Sequence, residues 1–160
     1  VESPLKKRLL VGVISDTHGV LREAAVAALS RADLIVHAGD IGTLDVLEAL
    51  RQIAPVVAVR GNMDGYGWAR ELPETEMVAI GDVYAYILHD LWMLDIDPDA
   101  SGVKVVISGH THLPAAETKN GVLYLNPGSA GYRRPNRPTT VARLYIEGTD
   151  LKPEFIHLAS

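Results

Sequence analysis

Five apolar runs in this chain each give way to a residue that can ligate a cation. Leu9–Ile14 leads into Ser15-Asp16-Thr17-His18-Gly19, and Leu34–Ala38 leads into Gly39-Asp40. Val56–Val59 leads, through Arg60-Gly61, into Asn62. Tyr84–Leu88 ends at His89, and Val103–Ile107 runs through Ser108-Gly109 to His110-Thr111-His112. Short runs dense in Val, Ile and Leu read as buried strands. A fold for this sequence must therefore seat several covered strands and accommodate acids, an amide and imidazoles where those strands stop.

The first three runs are separated by helical patterns. Arg22–Ser30 is rich in good helix formers. Thr43 is placed to cap a helix reaching about Ile53, with Leu44, Leu47 and Leu50 on one face, and Pro55 stops it. With Asp33–Ala38 as the second strand, this βαβαβ opening implies parallel strands joined by right-handed crossovers. The texture changes after Asn62. A loop runs to Arg70. Hairpins are then expected from Met77–Ile80 with Val83–Leu88, and from Ala115–Lys119 with Val122–Leu125 about Asn120-Gly121. A third pairs Thr139–Ile146 with Leu151–Leu158, and Asp95–Ser101 offers at most a short helix. Two packed sheets with helices outside accommodate both textures. At 160 residues the length prior is one domain over 1–160, with 1–7 as a loose arm.

Composition narrows the chemistry. The chain has no cysteine, so a metal site must be built from His, Asp, Glu and Asn. That composition suits the cytoplasm. A net charge of −5 argues against general nucleic-acid binding. Lys6-Lys7-Arg8 before an apolar run resembles the front of a signal peptide, but the run breaks at Ser15-Asp16, so a buried strand is expected instead. No stretch reaches the ~18 apolar residues of a membrane span. A nucleotide-binding α/β domain is disfavoured, because no glycine-rich phosphate loop follows the first strand.

The candidate donors in order are Asp16, His18, Asp40, Asn62, His89, His110 and His112. Mixed oxygen and imidazole donors suit Mn²⁺, Fe, Zn²⁺, Ni²⁺ or Co²⁺ better than Ca²⁺. The set is too large for one small ion. It suits two if a carboxylate bridges, and two ions about 3.5–4 Å apart can clamp a phosphoryl group.

Asp16-x-His18, Gly39-Asp40, Gly61-Asn62-x-Asp64, His89 and Gly109-His110-Thr111-His112, in this order, resemble the calcineurin-like metallophosphoesterase superfamily. The short length and Asn126-Pro127-Gly128-Ser129 narrow the resemblance to the small YfcE-like phosphodiesterase branch. The resemblance implies a four-layer α/β/β/α sandwich of two mixed sheets, with the site at strand ends between them. It implies that Asp16, His18 and His112 hold one metal, that Asn62, His89 and His110 hold the other, and that Asp40 bridges. Mn²⁺ is the favoured ion. A metal-bridging hydroxide would attack phosphorus, with Asn62, Asp40 and His110 as catalytic residues and a small phosphodiester or nucleotide-like molecule as substrate. Gly39, Gly61 and Gly109 are expected where a Cβ would crowd the ions. The alternative is a non-catalytic interaction module, since the retromer scaffold subunit resembles this fold with an impaired metal site. A scaffold is free to lose ligands, and this chain keeps all of them.

Two positions depart from the family pattern. Many members carry a histidine after the motif asparagine, able to protonate the leaving group; here it is Met63. Relatives commonly have His-Gly where this chain has His89-Asp90, so Asp90 either orients His89 or faces solvent. Arg133, Arg134 and Arg137 form either a solvated loop or a funnel that places substrate phosphate, with Arg133 and Arg134 as substrate-binding candidates. Tyr66 and Trp68 offer stacking faces, a cover for a sheet edge or a subunit contact, and exposed sheet edges with Trp92-Met93 would support a homodimer. His37 reads as a packed or hydrogen-bonded strand residue, with support of the site as its alternative. His157 reads as structural, Asp33 and Asp45 as caps or solvated charges, and Asp64 as a turn former or an orienting residue.

Overall fold

The computed structural model describes residues 8–65, 67–131 and 138–158. The N-terminal arm, Tyr66 and the arginines at 133, 134 and 137 lie outside the described residues.

The opening is the expected βαβαβ unit: β1 (Leu9–Ile14), α1 (Glu23–Ala28), β2 (Leu34–His37), α2 (Leu44–Arg51) and β3 (Val56–Ala58). β1 pairs parallel with β2, and β2 with β3. Then come β4 (Thr75–Ile80), β5 (Val83–Leu88), β6 (Val103–Ile107), β7 (Ala115–Lys119), β8 (Val122–Asn126), β9 (Thr140–Glu147) and β10 (Asp150–His157). Two five-stranded mixed sheets result, in the orders β10-β9-β1-β2-β3 and β4-β5-β6-β8-β7. The last hairpin returns to the first sheet, where β9 lies antiparallel to β1.

The period-two pattern of each strand decides what faces what. Val11, Val13, Val36 and Leu144 of the first sheet meet Val83, Ala85, Ile87, Val105, Ile107 and Leu125 of the second in one buried layer. The opposite face of the first sheet, with Ile14 and Ile35, packs under Ala25, Leu29, Leu47 and Leu50 of the helices. Each such fully buried aliphatic side chain contributes roughly 1.5–3 kcal/mol. α1 has only six residues, too few to hold on propensity, so this packing maintains it. The outer face of the second sheet, with Tyr86, Val103 and Val106, is covered by Leu94 and Ile96. The architecture is therefore the four-layer sandwich, with one thin outer layer that follows a 3-10 turn at Leu91–Met93.

Some local expectations change. Thr43 occupies the N-cap of α2 but makes no side-chain capping bond. The segment after Asp95, which offered at most a short helix, forms successive turns, closed by Ser101 N–H to Asp97 O at 2.9 Å and Val103 N–H to Pro98 O at 2.9 Å. The loop after Asn62 contains a 3-10 helix at Gly67–Glu71, and Trp68 packs against the helix-side core rather than standing free. His157, read as structural, ends β10 as an exposed strand residue. Among the described residues no helix is long and apolar enough to cross a membrane.

Candidate metal centre

Because β1, β2 and β3 run in the same sense, the loops that leave them lie side by side. The β1 and β2 loops form a short ladder of their own: Asp16 N–H to Gly39 O (3.0 Å), His18 N–H to Asp40 O (3.0 Å) and Gly19 N–H to Ile41 O (2.8 Å). In the second sheet β5 and β6 are also parallel, and Gly109 N–H donates to His89 O at 2.9 Å. Two bonds cross between the sheets here. His110 N–H donates to Asp16 Oδ2 at 3.1 Å, and the His89 Nδ1–H donates to Ala38 O at 2.8 Å. The second bond points His89 Nε2 toward the acids.

The backbone is strained at these loops. Asp16, His18, Asp40, His110 and His112 all have positive φ, between 47° and 72°. Left-handed backbone is uncommon for residues with a Cβ, and its clustering is a mark of functional sites. The other such non-glycine residue described is Asn120, in the Asn-Gly hairpin turn where that conformation is required.

Two groups of donors result, each with one ligand atom per residue and all those atoms within 4.8 Å of one another: Asp16, His18, His112 and Asp16, Asp40, His89. Asp16 Oδ1 lies 3.2 Å from His112 Nε2, 3.7 Å from His18 Nε2 and 3.9 Å from His89 Nε2. Asp40 Oδ2 lies 3.1 Å from His89 Nε2 and 3.9 Å from His18 Nε2. Both carboxylates thus reach imidazoles of both groups. The Asp16 side chain is fully buried; its Oδ2 accepts from Ser15 Oγ at 2.7 Å, while Oδ1 accepts no hydrogen bond from the described residues. A buried carboxylate oxygen so placed is costly unless a cation meets it, and the donor set fits two divalent ions.

His110 and Asn62 stand at the mouth. The His110 side chain is 40% exposed, and its ring lies edge-on to His89 at 5.2 Å between centroids. Asn62 is exposed and lines the same cleft as His89. Burial alone would push the Asp40 carboxyl up, but the hydrogen bond and charge of His89 and the Met63 N–H outweigh it and hold the pKa below the ordinary value. For His89, burial would lower the pKa, but the bond to Asp40 and the charges of Asp16 and Asp40 raise it. The pair therefore favours anion and imidazolium until a cation replaces the proton.

The loops are held by buried polar residues behind the donors. Asp64, buried, accepts the Gly61 N–H at 3.0 Å, the Ile41 N–H at 3.1 Å and the Gly42 N–H at 3.3 Å. It therefore clamps the loops carrying Asp40 and Asn62. His37 is fully buried. Its Nδ1 accepts the Gly39 N–H at 3.1 Å, which leaves Nε2–H to donate to Thr17 Oγ1 at 3.0 Å; that hydroxyl donates to Ile41 O at 2.7 Å. Asn126 Nδ2 donates to Gly109 O at 2.9 Å and its Oδ1 accepts the Gly128 N–H at 2.9 Å, so Asn126-Pro127-Gly128-Ser129 braces the His110–His112 loop through the Asn126 side chain. The signal available was small hydroxyl residues beside the donors: Ser15, Thr17 and Ser129 are all buried. Asp33 accepts the Leu10 N–H at 2.8 Å, away from the site. Asp90 does not touch the His89 ring. It accepts the Trp92 N–H at 3.0 Å and lies 3.8 Å from His110 Nε2. Gly61 and Gly109 need no unusual φ; a Cβ on the first would strike the Asp40 carboxylate and on the second Ser15 Oγ.

Comparison with known proteins agrees with this geometry. Residues 9–149 match the calcineurin-like phosphoesterase superfamily domain. A probable metallophosphoesterase of Methanocaldococcus jannaschii is 39% identical over 134 residues, covering 76% of this chain and 68% of that protein. A solved archaeal phosphodiesterase superposes with a TM-score of 0.77 at 25% identity, over 92% of this chain and 100% of that one. Vps29 of Entamoeba histolytica, solved with Zn²⁺, superposes with a TM-score of 0.71 at 26% identity, over 93% and 99%. With a family match spanning most of its length, and with residues that could hold metal gathered at its strand ends, the chain belongs to the calcineurin-like phosphoesterase superfamily.

Proposed function

We propose that this chain is a phosphodiesterase of the small YfcE-like branch that works with two divalent cations, Mn²⁺ favoured. The observation that carries the reading is the pair of donor groups that share Asp16. Asp16, His18 and His112 would hold one ion, and Asp40, Asn62, His89 and His110 the other, with Asp40 in reach of both. Bound there, the cations would supply Lewis acidity toward phosphoryl oxygens and lower the pKa of a water molecule.

The chain's own residues do the rest. Asp40, held anionic, fixes negative charge beneath the site. His89, tied to Ala38 O through Nδ1, presents Nε2 in one orientation. Asn62 and His110, at the mouth, are placed to donate hydrogen bonds to a phosphoryl oxygen as charge develops on it. Met63 follows Asn62 with its side chain 65% exposed and cannot protonate a departing alkoxide. Diesters with acidic leaving groups are therefore the best substrates. Arg133 and Arg134 complete the proposal as collectors of anionic substrate.

A scaffold role is the second reading, favoured by the likeness to Vps29. Because that likeness includes a Zn²⁺ complex, metal uptake alone does not separate the two readings; turnover does. Metal-stripped protein reloaded with Mn²⁺, Ni²⁺, Zn²⁺ or Fe²⁺ should hydrolyse bis(p-nitrophenyl) phosphate, and Asp40→Asn or His110→Ala should lower kcat/KM by about a hundredfold or more. Wild-type rates in either variant would sink the assignment, and no turnover with any ion would leave the scaffold.

A further inference from the structure

Among the described residues the two sheets end in four strands: β10 and β3 in the first, β4 and β7 in the second. An open margin offers N–H and C=O groups to another chain unless something blunts it. β3 has only three residues. In β10, alternate residues counted from the turn at Gly148-Thr149 face outward, and one of them is Pro153, which has no N–H to offer. β4 has no proline, but its one charged residue, Glu76, finds no opposite charge in a second copy of the same strand. β7 differs from all three. Its residues Ala115–Lys119 are all exposed, none is proline, and it carries both signs of charge in Glu117 and Lys119.

The register of β7 against β8 decides which of its backbone groups are open. Lys119 and Val122 close the two-residue turn at Asn120-Gly121 and so form a hydrogen-bonded pair. Bonded and non-bonded pairs alternate in an antiparallel ladder, so Glu117 and Ala115 also bond to β8, while Ala116 and Thr118 turn their N–H and C=O groups outward. A second copy brought up by a two-fold axis presents the same strand in the antiparallel sense. Two registers keep most of the strand paired. One centred on Glu117 sets two glutamates directly opposite each other. One centred on Thr118 lets the two Thr118 residues exchange both backbone bonds, and it sets each Glu117 opposite the other copy's Lys119, a favourable cross-strand pair. Within one chain these two side chains are only a loose exposed pair, 3.8 Å apart.

We infer that β7 is the contact edge of a two-fold homodimer, joined antiparallel about Thr118, in which the second sheet continues from one copy into the next. The surface beside the edge supports a contact larger than one strand. A groove of about 420 Å³ on the outer face is bounded by Ala115, Glu117, Lys119, Tyr124, Leu113 and Trp92, and the Trp92 side chain is 92% exposed. Leu113-Pro114 joins His112 to β7, so the pairing would also steady the strand into which the His110–His112 loop runs. The inference goes beyond the reaction proposed above and stands whether or not the chain turns over a phosphodiester.

Sedimentation equilibrium of the full chain, with and without Mn²⁺, tests it. Wild type should be a dimer, and hydrogen exchange at the Ala116 and Thr118 amides should slow as the chain concentration rises. Thr118→Pro removes an outward N–H and leaves the β8 ladder intact, so it should yield a folded monomer with an unchanged urea midpoint. Glu117→Lys sets lysine against lysine twice across the axis and should weaken association by about tenfold or more. Combining Glu117→Lys with Lys119→Glu swaps both charges and should restore the dimer, a result that the register centred on Glu117 does not give. A wild type that stays monomeric up to about 1 mM would overturn the inference. So would a dimer indifferent to Glu117→Lys, or a doubly swapped chain that associates no better than the single variant. The two charge variants alter only exposed side chains, so they decide the matter even if the proline variant fails to fold.

Discussion

Asp64 offers the sharpest test of how the centre is held. Its buried carboxylate serves three backbone donors: the N–H groups of Gly61 and Ile41, both buried, and that of Gly42, which is exposed. Asp64→Ala would strand the two buried donors, at about 1–3 kcal/mol each, while water replaces the bond to Gly42. The expected loss is about 2–6 kcal/mol, a large share of the ~5–15 kcal/mol of a typical domain. Asp64→Asn keeps one acceptor oxygen but turns an NH₂ toward N–H groups, so it should lose about 2–3 kcal/mol. Urea unfolding of metal-free protein measures both, with unchanged slope showing that the unfolding reaction is the same. The same clamp fixes the loops of Asp40 and Asn62, so Mn²⁺ affinity should fall by about tenfold or more in the asparagine variant, the range seen when residues supporting metal ligands are changed. An alanine variant within 1 kcal/mol of wild type, taking up Mn²⁺ as tightly, would refute the clamp.

Other perturbations read different parts of the frame. The buried His37 imidazole is held neutral, its pKa lowered from 6.5 to about 3 first by burial and then by the His89 charge. The sign follows: folding excludes a proton that the unfolded chain binds, so stability present above pH 6.5 is lost as pH falls toward 3, at up to about 1.4 kcal/mol per pH unit. Replacing His37 with Gln should flatten the fall of the urea midpoint between pH 7 and pH 4.5 in metal-free protein, and an equal fall in both proteins would contradict a neutral buried imidazole. Gly61→Ala, whose Cβ would strike the Asp40 carboxylate, should weaken Mn²⁺ uptake measured by calorimetry far more than it lowers the melting temperature; unaltered uptake would mean that Asp40 moves aside at no cost.

Much of this frame was legible before any coordinates. The apolar runs became strands within a residue or two, and Asn120-Gly121 formed its hairpin turn with φ of 52° and 77°. The donors were legible because each follows a strand in a residue type that few other roles demand. What escaped detection depends on partners distant in the chain. That Asp64 orients a loop and that His37 is a hydrogen-bonded strand residue were both legible; their partners, the N–H groups of residues 41 and 42 and the hydroxyl of Thr17, were not. A short polar residue near a turn has several such fates, and only the approach of two loops selects one. The return of β9 to lie beside β1 escaped for the same reason, since nothing local in Thr140–Glu147 names its neighbour. The left-handed backbone of five donors also leaves no trace in composition, because Asp and His tolerate it without requiring it.

The candidate donors are divided between the sheets: Asp16, His18, Asp40 and Asn62 follow strands of the first, and His89, His110 and His112 follow strands of the second. A pair of ions seated among them would act as a rivet through one rim of the sandwich, added to the apolar layer that joins the two sheets. The molecule then has one rim whose fastening depends on a removable ion. Chelation would let the two halves breathe at the donor rim first, and proteases or exchanging amide protons would register that loosening before any global melting.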